Sequence, residues 1–175
     1  MFKKVVIVIF ILLIVVFGIY FFNYTQLQLK MNDVIKYDPR NNGIVVNVHF
    51  ARYFQKSEIV YNLKSVTSNK SKADVFRVFL QFTEKMKNKD FKQIYLTFRG
   101  ETKFLLEGKY FKTLGEEYSF QNPVYTMRTF PENLKNPDKS QSYSEWTGGL
   151  LGVSQKQIED FNDFHDKWYF NDLLE

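Results

Sequence analysis

Hydrophobic and polar positions divide this chain into one unbroken apolar block and a patterned remainder. Val5 to Phe22 is a run of 18 residues without a charge. As a helix it rises about 27 Å, close to the roughly 30 Å hydrocarbon core of a bilayer. Lys3 and Lys4 precede it, and Tyr20 and Tyr24 stand where an interfacial aromatic belt falls. A cleaved signal peptide is the competing reading. Its apolar core is usually about 7–15 residues and ends in an A-x-A-like site. Here Gly18 is the only small residue near the end, and more apolar residues follow it. Residues 1–24 are therefore expected to be an uncleaved transmembrane anchor. The Lys3–Lys4 cluster and the short tail put the N-terminus in the cytoplasm. The rest of the chain is then extracytoplasmic, and periplasmic in a cell with two membranes. Lys30, Lys36 and Arg40, after the span, keep that bias small.

The pattern then changes period. In residues 25–42, Leu27, Leu29 and Met31 alternate with polar residues, and the stretch reads as a stalk, helical or extended. Asp38 to Gly43 is a turn cluster, so a globular domain is expected over 43–175. Ile44 to Phe50 and Glu58 to Val66 read as strands. Ser71 is a good N-cap with Asp74 in the first turn, and Val75, Phe79, Phe82 and Met86 share one helical face. Gln93 to Phe98 is a third strand. Lys103 to Glu107 fits strand or helix, and Lys109 to Tyr118 fits a short helix, with Gly115 as a weakness. Val124 to Phe130 alternates like a fourth strand. In the last helix, Ser154 and Gln157 form a capping box, with Val153 and Ile158 as its hydrophobic staple. The fold class expected is α+β: a mostly antiparallel sheet of about four strands with two or three helices packed on one face.

Composition narrows the chemistry. With 45% hydrophobic and 25% charged residues, the chain has the balance of one that folds. No cysteine is present, which excludes disulfides, a thiol nucleophile and cysteine zinc sites. Two histidines, His49 and His165, exclude a multi-histidine metal centre. No cofactor is expected. After the span, 22 basic residues face 19 acidic ones, a net +3 that is too mild to indicate nucleic acid. The lysines around positions 56–72 and 85–92 form a solvated surface or a face resting on anionic headgroups.

No phosphate loop, dinucleotide fingerprint or nucleophile elbow occurs. Gly148 and Gly149 open a glycine cluster before the last helix. It is either a tight entry turn, with Trp146 as an anchoring aromatic, or an anion or peptide site. His165 lies on the apolar face of that helix and reads as a core histidine or, alternatively, a catalytic base. Arg99 closes the predicted third strand and Arg128 lies within the predicted fourth, with Glu101 and Glu132 close by in sequence. They line a cleft that binds carboxylate or phosphate, or they form structural ion pairs. Tyr118, Phe120, Tyr125, Phe130, Tyr143 and Trp146 fall in or near predicted loops, as in a contact surface. Together these favour a membrane-anchored, non-enzymatic accessory or scaffold protein of the cell envelope, with an envelope protein as partner. The alternatives are a tethered hydrolase of an envelope polymer or lipid, and a small-ligand or lipid-binding module.

Overall fold

A computed structural model describes residues 2–52 and 55–174; Met1, Tyr53, Phe54 and Glu175 lie outside the described residues. α1 (Phe2–Asn23) passes through a π-helical turn (Tyr24–Gln28) into α2 (Leu29–Tyr37) without leaving helical geometry. Val5 to Tyr37 is thus one 33-residue helix, and its apolar half has a mean hydropathy of 3.4, enough to cross a membrane. An anchor and a signal sequence share that property. The second half behaves differently. Leu27, Met31 and Val34, spaced four and three apart, fall on one helical face and are buried in the domain core. The segment read as a stalk is therefore helical and packs against the domain.

The domain contains β1 (Ile44–Arg52), β2 (Gln55–Val66), α3 (Lys72–Met86), β3 (Gln93–Phe98) and β4 (Glu101–Glu107). Then follow α4 (Gly108–Glu117), α5 (Pro123–Thr129), β5 (Leu134–Lys135), α6 (Leu150–His165), a π turn (Asp166–Phe170) and α7 (Asn171–Leu174). The sheet order is β1-β2-β3-β4-β5. Neighbours pair antiparallel except β2 and β3, which are parallel and joined through α3. Parallel neighbours need such a crossover. In β1, Ile44, Val46, Val48 and Phe50 point into the core and Val45 and Asn47 point out. The strand alternation read in the sequence is this two-residue period. On the helical side, rings of Tyr61, Phe76, Phe79, Phe82, Phe111, Phe130, Phe164 and Trp168 meet mostly edge-on or tilted.

β1 is an edge strand, and the long helix covers its edge. The Gln28 carboxamide accepts from the Val48 N–H at 2.7 Å and donates to the Val46 carbonyl at 3.1 Å. Asn23 Oδ1 accepts from the Phe50 N–H at 2.9 Å. Unpaired edge groups are thereby occupied by side chains of the helix.

Three expectations require correction. The sheet has five strands rather than about four, with one parallel pair. Lys103–Glu107 belongs to β4, whereas Val124–Phe130, expected as a strand, is helical α5 and its end. The Asn122 side chain accepts from the Val124 N–H at 2.9 Å and Pro123 occupies the first helical position. Asn-Pro is thus a helix start, not only a turn. Thr126 and Phe130, one turn apart, are the buried pair. Finally, α6 begins at Leu150, a turn before Ser154, with Gly149 at its cap. Gln157 does not form the expected box. Its carboxamide donates to Glu132 at 2.6 Å and accepts from Arg128 Nε at 3.0 Å.

Candidate functional site

Three helices bound a cavity of about 480 Å³, with Ala73, Phe76, Leu80, Leu114 and Met127 as apolar walls. Gly115 lets α4 approach α3 there: a Cβ at this position would stand 2.3 Å from the Thr83 carbonyl oxygen. Arg77, Glu117, Tyr118, Gln121 and Thr126 supply the polar part of the lining. Phe120 (75% exposed), Val124 (55%) and Tyr125 (52%) stand beside it at the α4–α5 corner. Clustered exposed apolar side chains of this kind are uncommon on a free surface.

The arginine at the cavity is already committed. Arg77 donates to Asp74 at 2.7 Å, to Asn41 Oδ1 at 3.3 Å and to the Arg40 carbonyl at 3.2 Å. Asp38 accepts from Arg40 Nη2 at 2.7 Å and from Gln81 at 3.1 Å. Asn41, fully buried, donates to the Val34 carbonyl and to Gln81. The Arg40 hydrogen bonds hold the Asp38 carboxyl well below the usual carboxylate range. Bonds from Ser71 bring Asp74 to about 2. This network fastens the end of α2 to α3. The sequence showed these residues only as a turn cluster; nothing in it marks Arg77 as their partner.

The candidate residues read from the sequence do not gather at that cavity. Arg99 and Gly100 form the two-residue β3–β4 turn, both with positive φ (50° and 96°), as a type I′ hairpin requires. The Arg99 guanidinium lies 4.8 Å from the Phe98 ring centroid and reaches the Asp172 carbonyl at 3.5 Å. Glu101 pairs with Lys103 at 3.0 Å, and Lys103 also pairs with Asp172. Arg128 and Glu132 are bridged by Gln157. Trp146 donates to Asp160 at 2.6 Å and, with Gly149, lines a shallow depression of about 300 Å³. Gly148 is exposed, with φ of 129°.

His165 is buried among rings, with centroids of Phe161 at 4.4 Å and Phe164 at 4.5 Å. Its Nδ1 donates to the Phe161 carbonyl, and Nε2 has no partner among the described residues. Burial pushes its pKa down to about 3, so the ring is neutral and sealed from solvent. Burial likewise pushes Tyr110 up to about 12. Among the described residues, no cluster of three or more His, Asp or Glu could hold a metal ion.

Neither a family model, nor a curated protein, nor a solved structure matches the chain.

Proposed function

We propose that this chain is a single-pass membrane-anchored accessory protein of the cell envelope. In this reading α1 remains in the bilayer with its N-terminus in the cytoplasm. The domain docks an envelope protein partner through the apolar corner formed by Phe120, Val124 and Tyr125. One observation carries the reading: the apolar helix continues unbroken through the π turn into α2, and Leu27 of the turn with Met31 and Val34 of α2 is part of the core. A domain built on its own anchor is held at one height and orientation, as a docking part needs. A tethered enzyme searching for substrate gains from a loose stalk instead. The engaged state of Arg77, Arg128 and Glu132 and the sealed His165 also favour a non-catalytic role.

In-cell crosslinking of the full-length protein, followed by mass spectrometry, tests the reading. The comparison is a Phe120→Ser/Tyr125→Ser variant, whose changes fall on exposed side chains. A set of envelope proteins recovered with the native chain and lost with the variant is the expected result. Equal recovery with both would remove the corner from the reading. Absence of any specific partner would favour the second reading, a small apolar ligand in the 480 Å³ cavity.

A further inference from the structure

We propose that the end of the domain nearest the bilayer is a docking surface for anionic lipid headgroups. The proposal rests on reading α1 as a membrane span. Phe22 closes the apolar run, and what surrounds it marks the height of the membrane surface. Its ring lies 6.0 Å from that of Phe50 and has Lys56 Nζ 4.3 Å above its centroid. Phe22, Lys56, Lys89, Asp90 and Phe91 line one depression. Backbone bonds continue the ring of segments: the Lys92 N–H donates to the Ser57 carbonyl, and the Gly108 N–H donates to the Lys92 carbonyl at 3.1 Å. Asp38 lies 16 residues further along the same helix axis, about 24 Å away from the surface.

Three segments therefore face the bilayer: the paired ends of β1 and β2 (Arg52, Gln55 and Lys56), the α3–β3 connection (87–93) and the β4–α4 junction (107–112). They contain Arg52, Lys56, Lys87, Lys89, Lys92, Lys109 and Lys112, against Asp90 and Glu107 alone. That is a net +5 from 16 described residues, while everything else after the span carries 15 basic and 17 acidic residues, a net −2. Both acids are already neutralised: Asp90 by Lys112 at 2.8 Å and Glu107 by Lys135. Lys56, Lys89, Lys92 and Lys109 are exposed, and none takes part in an ion pair among the described residues. The mild overall charge thus hides a polarised molecule whose positive end lies where the anchor places it against headgroup phosphates. Attraction to an anionic surface acts on charges within about one Debye length of it, roughly 8–10 Å at physiological salt. The surface would fix the tilt of the domain on the membrane rather than recruit it, since the span already does that.

The chain has no cysteine, so Asn88→Cys in the full-length protein carries a single fluorophore at the positive end. Ser68→Cys carries it at the far end, beside the turn that Lys70 fastens to Arg40. Both proteins are reconstituted into phosphatidylcholine vesicles, with and without phosphatidylglycerol, containing a headgroup quencher. The expected result is stronger quenching at position 88, and not at 68, when phosphatidylglycerol is present. Salt near 1 M, where the Debye length is about 3 Å, should remove the gain, as should Lys89→Glu/Lys92→Glu/Lys109→Glu. The salt arm needs no mutation and so does not depend on the folding of that variant. Equal quenching in both lipids would overturn the proposal, as would a gain indifferent to salt. Loss of a crosslinked acidic protein in the triple variant, with quenching unchanged, would overturn it in favour of a protein partner. Extraction of the protein by alkaline carbonate would remove the span reading and the proposal with it. Retention in the bilayer without a lipid effect would remove the proposal alone.

Discussion

The imidazole of His165 is enclosed by Phe76, Phe161, Phe164, Trp168 and Tyr169, an environment in which a charge is poorly solvated. Its folded pKa of about 3 lies below the ordinary 6.5, so the unfolded chain takes up the proton first. The stability this residue contributes is therefore complete above pH 6.5 and is lost as pH falls toward 3. Denaturant unfolding in detergent between about pH 6 and pH 4 should lose up to about 1.4 kcal/mol per pH unit from this group. His165→Phe should flatten that slope, and an unchanged slope would contradict the burial argument. Asp74, lowered to about 2 from 3.8, contributes stability above that range and loses it only as pH falls through 3.8 toward 2, so above pH 4 the slope belongs to His165 and not to Asp74. The sequence placed His165 on an apolar helical face, and the 3.6-residue period is enough to read that. It does not reveal Gln157 between Arg128 and Glu132, because those three residues meet only when α5 and α6 pack.

At the scale of elements, close approach and edge covering decide what is tolerated. Gly115 weakens α4 as a helix by propensity, yet it sits against the α3 backbone. Gly115→Ala should destabilise by about 1–3 kcal/mol, although alanine is the better helix former; thermal unfolding decides the sign. On the other side, Gln28→Leu keeps the bulk of the side chain but leaves the Val48 N–H and the Val46 carbonyl without their partner. A loss of about 1–3 kcal/mol is expected from unsatisfied groups that are only partly open to water. Faster amide exchange at Val48 should accompany it. Strand β1 and helix α3 were legible because a single periodic pattern spans each. α5 was not: Val124 to Phe130 fits a two-residue alternation as well as a helix of seven residues. Only the Asn122 cap and the packing of Phe130 choose between them.

At the scale of the whole molecule, the second half of the long N-terminal helix and the domain are one folding unit. Deleting residues 1–22 should leave a chain that still unfolds cooperatively, weakened by the loss of the Phe22–Phe50 contact. Deleting residues 1–37 removes Leu27, Met31 and Val34 from the core and should abolish cooperative unfolding. Met31→Ala in the full chain should cost about 2–5 kcal/mol, as for a buried side chain elsewhere in a core. A cost near zero would mean that α2 is a stalk resting beside the domain. Circular dichroism with a urea titration distinguishes these outcomes.

By itself the sequence determined the apolar 18-residue run, the αβ character of the rest, the helical face of α3 and the absence of cysteine chemistry. Each of these is a local property, of hydropathy, period or composition, and needs no partner. Tertiary structure alone decided that residues 25–37 join the core, that β2 and β3 run parallel, and that Asp38, Asn41 and Arg77 meet. It also decided that a nearly balanced charge divides into a basic end around Phe22 and a slightly acidic remainder. Those are relations between segments far apart in the chain, set by which faces exclude water together.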